Sequence, residues 1–142
     1  MKLKFKIYQD EITYFIQGKI TRRIKIGKTT TTVGERLRTL QTGSPDELDI
    51  IGICFGPGLT ERYLHGMFSS SRLHGEWFSE TPDLLKFIEK NSIRDELAFS
   101  WAYWKIKEGF ITFNEAVAMG NERLEYEAEQ SLRDTVNKLP TL

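Results

Sequence analysis

Apolar and polar residues alternate along the first third of the chain, and helical spacing takes over further on. Leu3-Lys4-Phe5-Lys6-Ile7 alternates apolar and basic residues, the period-two pattern of a half-buried strand. Ile12-Thr13-Tyr14-Phe15-Ile16 is β-branched and aromatic and predicts a second strand. A loop over Gly18 to Arg22 leads to a third, Arg23-Ile24-Lys25-Ile26. The threonines from Thr29 to Thr32 suit a helix N-cap; Val33, Leu37 and Leu40 then follow at helical spacing until Gly43-Ser44-Pro45 ends the helix. Leu48 to Phe55 is an almost unbroken apolar run and predicts a central strand. Leu59, Tyr63, Leu64, Met67 and Phe68 mark one face of a helix. Gly75-Glu76-Trp77-Phe78 has room only for a strand stub, and Thr81-Pro82-Asp83 opens another helix with Leu84, Leu85 and Ile88 on its buried face.

Beyond Asn91 the pattern is helical throughout. Ile93 to Lys107 predicts one helix, interrupted at Gly109, and Thr112-Phe113-Asn114-Glu115 fits a capping box that opens a second helix to about Asn137. The expected architecture is α+β: a module over residues 1–90 with an antiparallel sheet flanked by helices, then a helical hairpin over residues 91–142.

Composition narrows the classes. With 142 residues the chain is the size of one ordinary domain. Its single cysteine, Cys54, can form no internal disulfide and no cysteine-based zinc site. No apolar run is long enough for a membrane span or a signal peptide, so the expectation is a reduced, cytoplasmic, soluble protein. Lys plus Arg and Asp plus Glu both number 20, which excludes coating of nucleic acid by overall charge. The charge is unevenly placed, however. Between Lys2 and Arg38 ten basic residues face three acidic ones, whereas Asn91 to Leu142 carries six basic and nine acidic residues. A basic front fits a phosphate-facing surface, and equally a set of solvated strand and helix faces.

Four groups of residues can carry chemistry. Tyr14 lies on the strand preceding the one that holds Lys25, Gly27 and Lys28. If the two pair, Tyr14 and Gly27 share a surface where the backbone approaches a ligand and Lys28 meets a phosphate. The same residues also fit a core tyrosine and a glycine that ends a strand. Arg36 stands about 100° round the helix from Leu37, able to reach over a sheet edge with a fork that fits phosphate; Arg36 and Arg38 also fit ordinary exposed positions. Glu61 and His65 are four apart on one helix face, a hard oxygen ligand for Mg²⁺ or Mn²⁺ beside an imidazole, or a plain surface pair. Phe99, Trp101, Tyr103 and Trp104 read as the packing face of the tail helix rather than as a base-stacking platform.

Five segments in order complete a pattern: Tyr14-Phe15-Ile16, Lys25-Ile26-Gly27-Lys28-Thr29, Arg36-Leu37-Arg38-Thr39-Leu40-Gln41-Thr42-Gly43, Glu61-Arg62-Tyr63-Leu64-His65 and Gly75-Glu76-Trp77-Phe78. Together they resemble the GIY-YIG nuclease superfamily, in particular its branch named for phage reading frames and a meiotically up-regulated fungal gene. The resemblance spans residues 12–88 and leaves the tail uncovered. It implies a small three-stranded antiparallel sheet flanked by helices and one divalent ion, Mg²⁺ or Mn²⁺, at the site. It implies Tyr14 as the residue that activates water, Arg36 as the phosphate-holding arginine and Glu61 as the metal ligand, with His65 a further candidate from the branch pattern. Lys25, Gly27, Lys28 and Arg38 are then the nucleic-acid-binding candidates. Two departures stand out: the first motif's Gly-Ile is Ile12-Thr13, and the second motif's tyrosine is Lys25.

The expected function is a metal-dependent endonuclease of phage type that hydrolyses phosphodiesters in double-stranded or branched DNA. The alternative is a catalytically idle module of the same shape that binds nucleic acid or a protein. The tail, too acidic for DNA, is expected to pack back on the module, to dimerise or to meet a protein partner.

Overall fold

A computed structural model of the chain describes residues 7–138, with the backbone alone for residues 121–125 and 127–128. The expected strand over Leu3 to Ile7 falls outside the described residues except for Ile7, which lies in a bend. The fold is α+β. Its strands are β1 (Ile12–Gly18), β2 (Ile24–Thr29), β3 (Leu48–Cys54), β4 (Arg72–His74) and β5 (Trp77–Phe78). Its α-helices are α1 (Val33–Thr42), α2 (Glu61–Met67), α3 (Pro82–Asn91), α4 (Glu96–Lys107) and α5 (Phe113–Asn137). All strand pairs are antiparallel, in the spatial order β3-β1-β2-β5-β4.

Local chemistry sets where the helices start. Thr32, Thr60, Thr81, Asp95 and Thr112 each stand in extended backbone before a helix, and each side chain accepts a hydrogen bond from a main-chain N–H in the first turn. At Thr112 the full capping box with Glu115 is present. Alternation along β1 then divides the core between the two faces of the sheet. Ile12, Tyr14 and Ile16 pack with Val33, Ile53, Phe99 and Tyr103, while Phe15 packs with Ile26, Leu64, Phe78 and Leu84.

Several expectations need correction. Leu48–Cys54 is an edge strand; the middle one of the three long strands is β1, hydrogen-bonded on both sides and buried at all seven positions. The apolar run of β3 has another cause, since both of its faces are covered and its outer edge is bridged by Ile93, whose N–H and C=O both bond Ile53 (2.9 and 2.8 Å). That bridge also shortens the tail helix, which begins at Glu96 and not at Ile93. The sheet has five strands because the short β4 and β5 extend the three long ones.

Two helix faces also differ from expectation. On α2, Leu64 is buried while Tyr63 and Met67 are exposed. On α4 the buried residues are Phe99, Ala102 and Tyr103, and Trp101 and Trp104 face outward.

Helix α4 is joined to the rest by polar contacts as well as by packing. The Glu96 carboxylate accepts from Val33 N (2.6 Å) and Gly34 N (2.9 Å), the first two main-chain donors of α1. Tyr103 Oη accepts from Gln9 N and Asp10 N and donates to Asp10 Oδ2 at 2.7 Å. No helix among the described residues is long and apolar enough to cross a membrane.

Candidate active site

Tyr14 and Gly27 are partners across the β1–β2 ladder. A β-carbon on Gly27 would stand 2.3 Å from Tyr14 Cζ and 2.4 Å from the hydroxyl, so the ring crosses β2 over bare backbone. This carries the hydroxyl away from β1 to a place over Gly27 of β2. It is buried there and has no hydrogen-bond partner.

The outer edge of β2 is where the sheet runs short. Strand β5 pairs only with Ile24 and Lys25, and the main chain of Glu76 takes one further bond, from Ile26 N. Helix α2 meets the edge next. His65 Nε2–H donates to the Ile26 carbonyl at 2.8 Å, and its ring packs 5.1 Å from that of Phe78. Because a carbonyl can only accept, the proton on Nε2 is fixed.

One turn earlier on α2, Glu61 places Oε1 3.8 Å from His65 Nε2. Its other oxygen, Oε2, is buried without a partner. Burial pushes this carboxyl above the usual carboxylate range, and the negative charge of Glu76 pushes the same way. His65 and Lys28 oppose the shift, and Glu11 adds weakly to it. Two ion pairs complete the surroundings, Lys25–Glu76 at 2.8 Å and Lys28–Glu11 at 3.7 Å.

Strand β2 therefore has Tyr14 lying over Gly27, while along it Glu61 and His65 of α2 stand with Lys28 and Glu11, and Lys25 pairs with Glu76. Arg36 and Arg38 remain apart: both are exposed on α1, and neither side chain makes a hydrogen bond or ion pair with this group. Glu11 was not expected at the site. Only its place at the start of β1, next to the turn into the sheet, could have suggested it.

A divalent ion fits what is present. Buried polar atoms nearly always find a partner, so the orphaned carboxylate oxygen Glu61 Oε2 marks a place for a ligand. Among the described residues no group of three or more His, Cys, Asp or Glu is placed to share an ion. Glu61 would then hold an ion with few protein ligands, which suits Mg²⁺, an ion that keeps several waters and takes oxygens from phosphate. Comparison with known proteins adds nothing to this geometry, since no family model, curated protein or solved structure matches the chain.

Proposed function

We propose that this protein is a divalent-metal-dependent endonuclease that hydrolyses phosphodiester bonds in DNA. The observation that carries the reading is the buried, unpartnered carboxylate oxygen of Glu61, on the helix that meets β2, with the Tyr14 hydroxyl, likewise buried and unpartnered, over Gly27 of that strand. The five-segment resemblance to GIY-YIG nucleases supplies the reaction class and the roles of Tyr14, Arg36 and Glu61, and the burial of Tyr14 Oη and Glu61 Oε2 without partners is consistent with two of them.

Hydrolysis of a phosphodiester needs charge neutralised at phosphate oxygens and a proton taken from water. Glu61 holds the ion, Mg²⁺ or Mn²⁺, which when bound polarises a phosphate oxygen as a Lewis acid. Tyr14 Oη, in its phenolate form, is the group that takes the proton of the attacking water and so becomes the neutral phenol. Lys25 and Lys28 receive phosphate oxygens along β2, and Arg36 and Arg38 extend the basic surface onto α1. His65 holds the β2 edge through Ile26, which makes it a positioning residue in the ligand-free protein.

One observation favours a second reading, a module that binds nucleic acid or a protein without cutting: Arg36 is exposed on α1 and makes no hydrogen bond or ion pair with Glu61 or the residues around it. Incubation of the full chain with supercoiled plasmid and Mg²⁺ or Mn²⁺ separates the two. The nuclease reading requires nicking that disappears with chelator and with Glu61→Gln.

A further inference from the structure

Glu76 has no part in the roles assigned above, yet its carboxylate lies 2.8 Å from the ammonium of Lys25. We infer that Glu76 is a positioning residue for Lys25, fixing the ammonium on the Tyr14 face of β2 where a phosphate oxygen is received. The inference rests on the nuclease reading.

A lysine side chain has four rotatable carbons and normally samples many rotamers. Here its side chain is only 14% exposed, with Nζ also 5.8 Å from the ring centroid of Trp77. A cation held this way before substrate arrives has already lost the freedom that binding would otherwise take away. Lys25 and Gly27 are two positions apart on β2 and so share a face, the one over which the Tyr14 ring lies. An ammonium carries three donors, and one engaged by Glu76 leaves two for phosphate.

Glu76 is well placed to do the holding. It follows Gly75, whose φ of +56° suits glycine, and precedes Trp77, the ladder partner of Lys25. Its main-chain oxygen accepts from Ile26 N at 3.0 Å. The turn is already tied to β2 by this bond and by the pairs Ile24–Phe78 and Lys25–Trp77. The carboxylate is therefore not needed to attach the turn. Its charge also acts on Glu61, the proposed metal ligand.

The test uses the full chain and four variants: Glu76→Gln, Glu76→Asp, Lys25→Met and the double variant Lys25→Met/Glu76→Gln. Cleavage of a labelled duplex with Mn²⁺ gives kcat and KM, and nitrogen-15 NMR of the lysine ammonium groups reports whether Lys25 is held. Glu76→Gln is expected to lose the Lys25 ammonium signal and to lower kcat by roughly tenfold to a hundredfold with KM within about twofold. Glu76→Asp recovers part of the rate, and the double variant is no slower than Lys25→Met. A Glu76→Gln protein that keeps the wild-type kcat, or single effects that multiply in the double variant, overturns the inference and leaves the nuclease reading intact. A wild-type chain that cuts nothing with any divalent ion removes the nuclease reading and this inference with it.

Discussion

The ring of Tyr14 occupies the space that a side chain on Gly27 would fill, and this contact holds a buried, unpartnered hydroxyl over β2. Gly27→Ala would force the ring aside or shift β2. A loss of about 1–3 kcal/mol is expected in urea unfolding, the usual range for overpacking, together with loss of cleavage. Tyr14→Phe separates the two effects. It removes only an unpartnered hydroxyl, so stability should stay level or rise while cleavage falls. A large destabilisation by Tyr14→Phe would mean that the hydroxyl has a structural partner in solution.

Glu61 titrates above the usual carboxylate range in the folded protein, chiefly because it is buried. A folded pKa above the unfolded one means that the native state holds its proton more tightly. Its ionisation therefore lowers stability as pH rises through that interval, and below the unfolded value the penalty is absent. Glu61→Gln should accordingly raise the melting temperature at pH 7 and lose that advantage below about pH 4. Metal binding needs the ionised form, so wild-type cleavage should weaken on acidification as protons compete with the ion for Glu61. Thermal scans of wild type and variant across pH check the first statement, and rates across pH check the second.

Arg36 and Arg38 are both exposed, and only Arg36 matches the arginine of the motif. If it closes on phosphate when DNA binds, Arg36→Ala should lower cleavage roughly 10²–10³-fold, and Arg38→Ala far less. Equal small losses in parallel rate measurements would make both arginines surface charges.

Local signals were legible in the sequence and long-range ones were not. Thr32, Thr81 and Thr112 announced their helices because a cap is a contact between residues two or three apart. The approach of Tyr14 to Gly27 was foreseeable once their strands were paired, and the i,i+4 spacing of Glu61 and His65 put them together. Strand order was hidden because β3, although an edge strand, is covered on both faces and bridged by Ile93, and so is as apolar as a central one. The tail misled for a related reason. Phe99 and Tyr103 were chosen for burial over Trp101 and Trp104 by the position of Tyr8 and Phe55, which no local pattern encodes. Glu96 capping α1 from more than 60 residues away is equally invisible to spacing.

Those tail contacts should be measurable in stability. Glu96→Ala strips two main-chain donors of their acceptor at the start of α1 and should cost about 1–2 kcal/mol. Tyr103→Phe removes the oxygen that joins Gln9 and Asp10 to α4, with a similar expected cost. Urea titration of each variant gives the values. No change in either would show that α4 is held by apolar packing alone.

The central claim is that the open edge of β2 is a metal-dependent site for phosphodiester hydrolysis. Its most direct measurement is nicking of supercoiled plasmid by the purified full chain, run beside Glu61→Gln after circular dichroism has shown both to be folded. The account predicts nicking by wild type with Mg²⁺ or Mn²⁺, none with chelator, and none by Glu61→Gln. Equal nicking by the folded Glu61→Gln protein, or none by wild type with either ion, would contradict it.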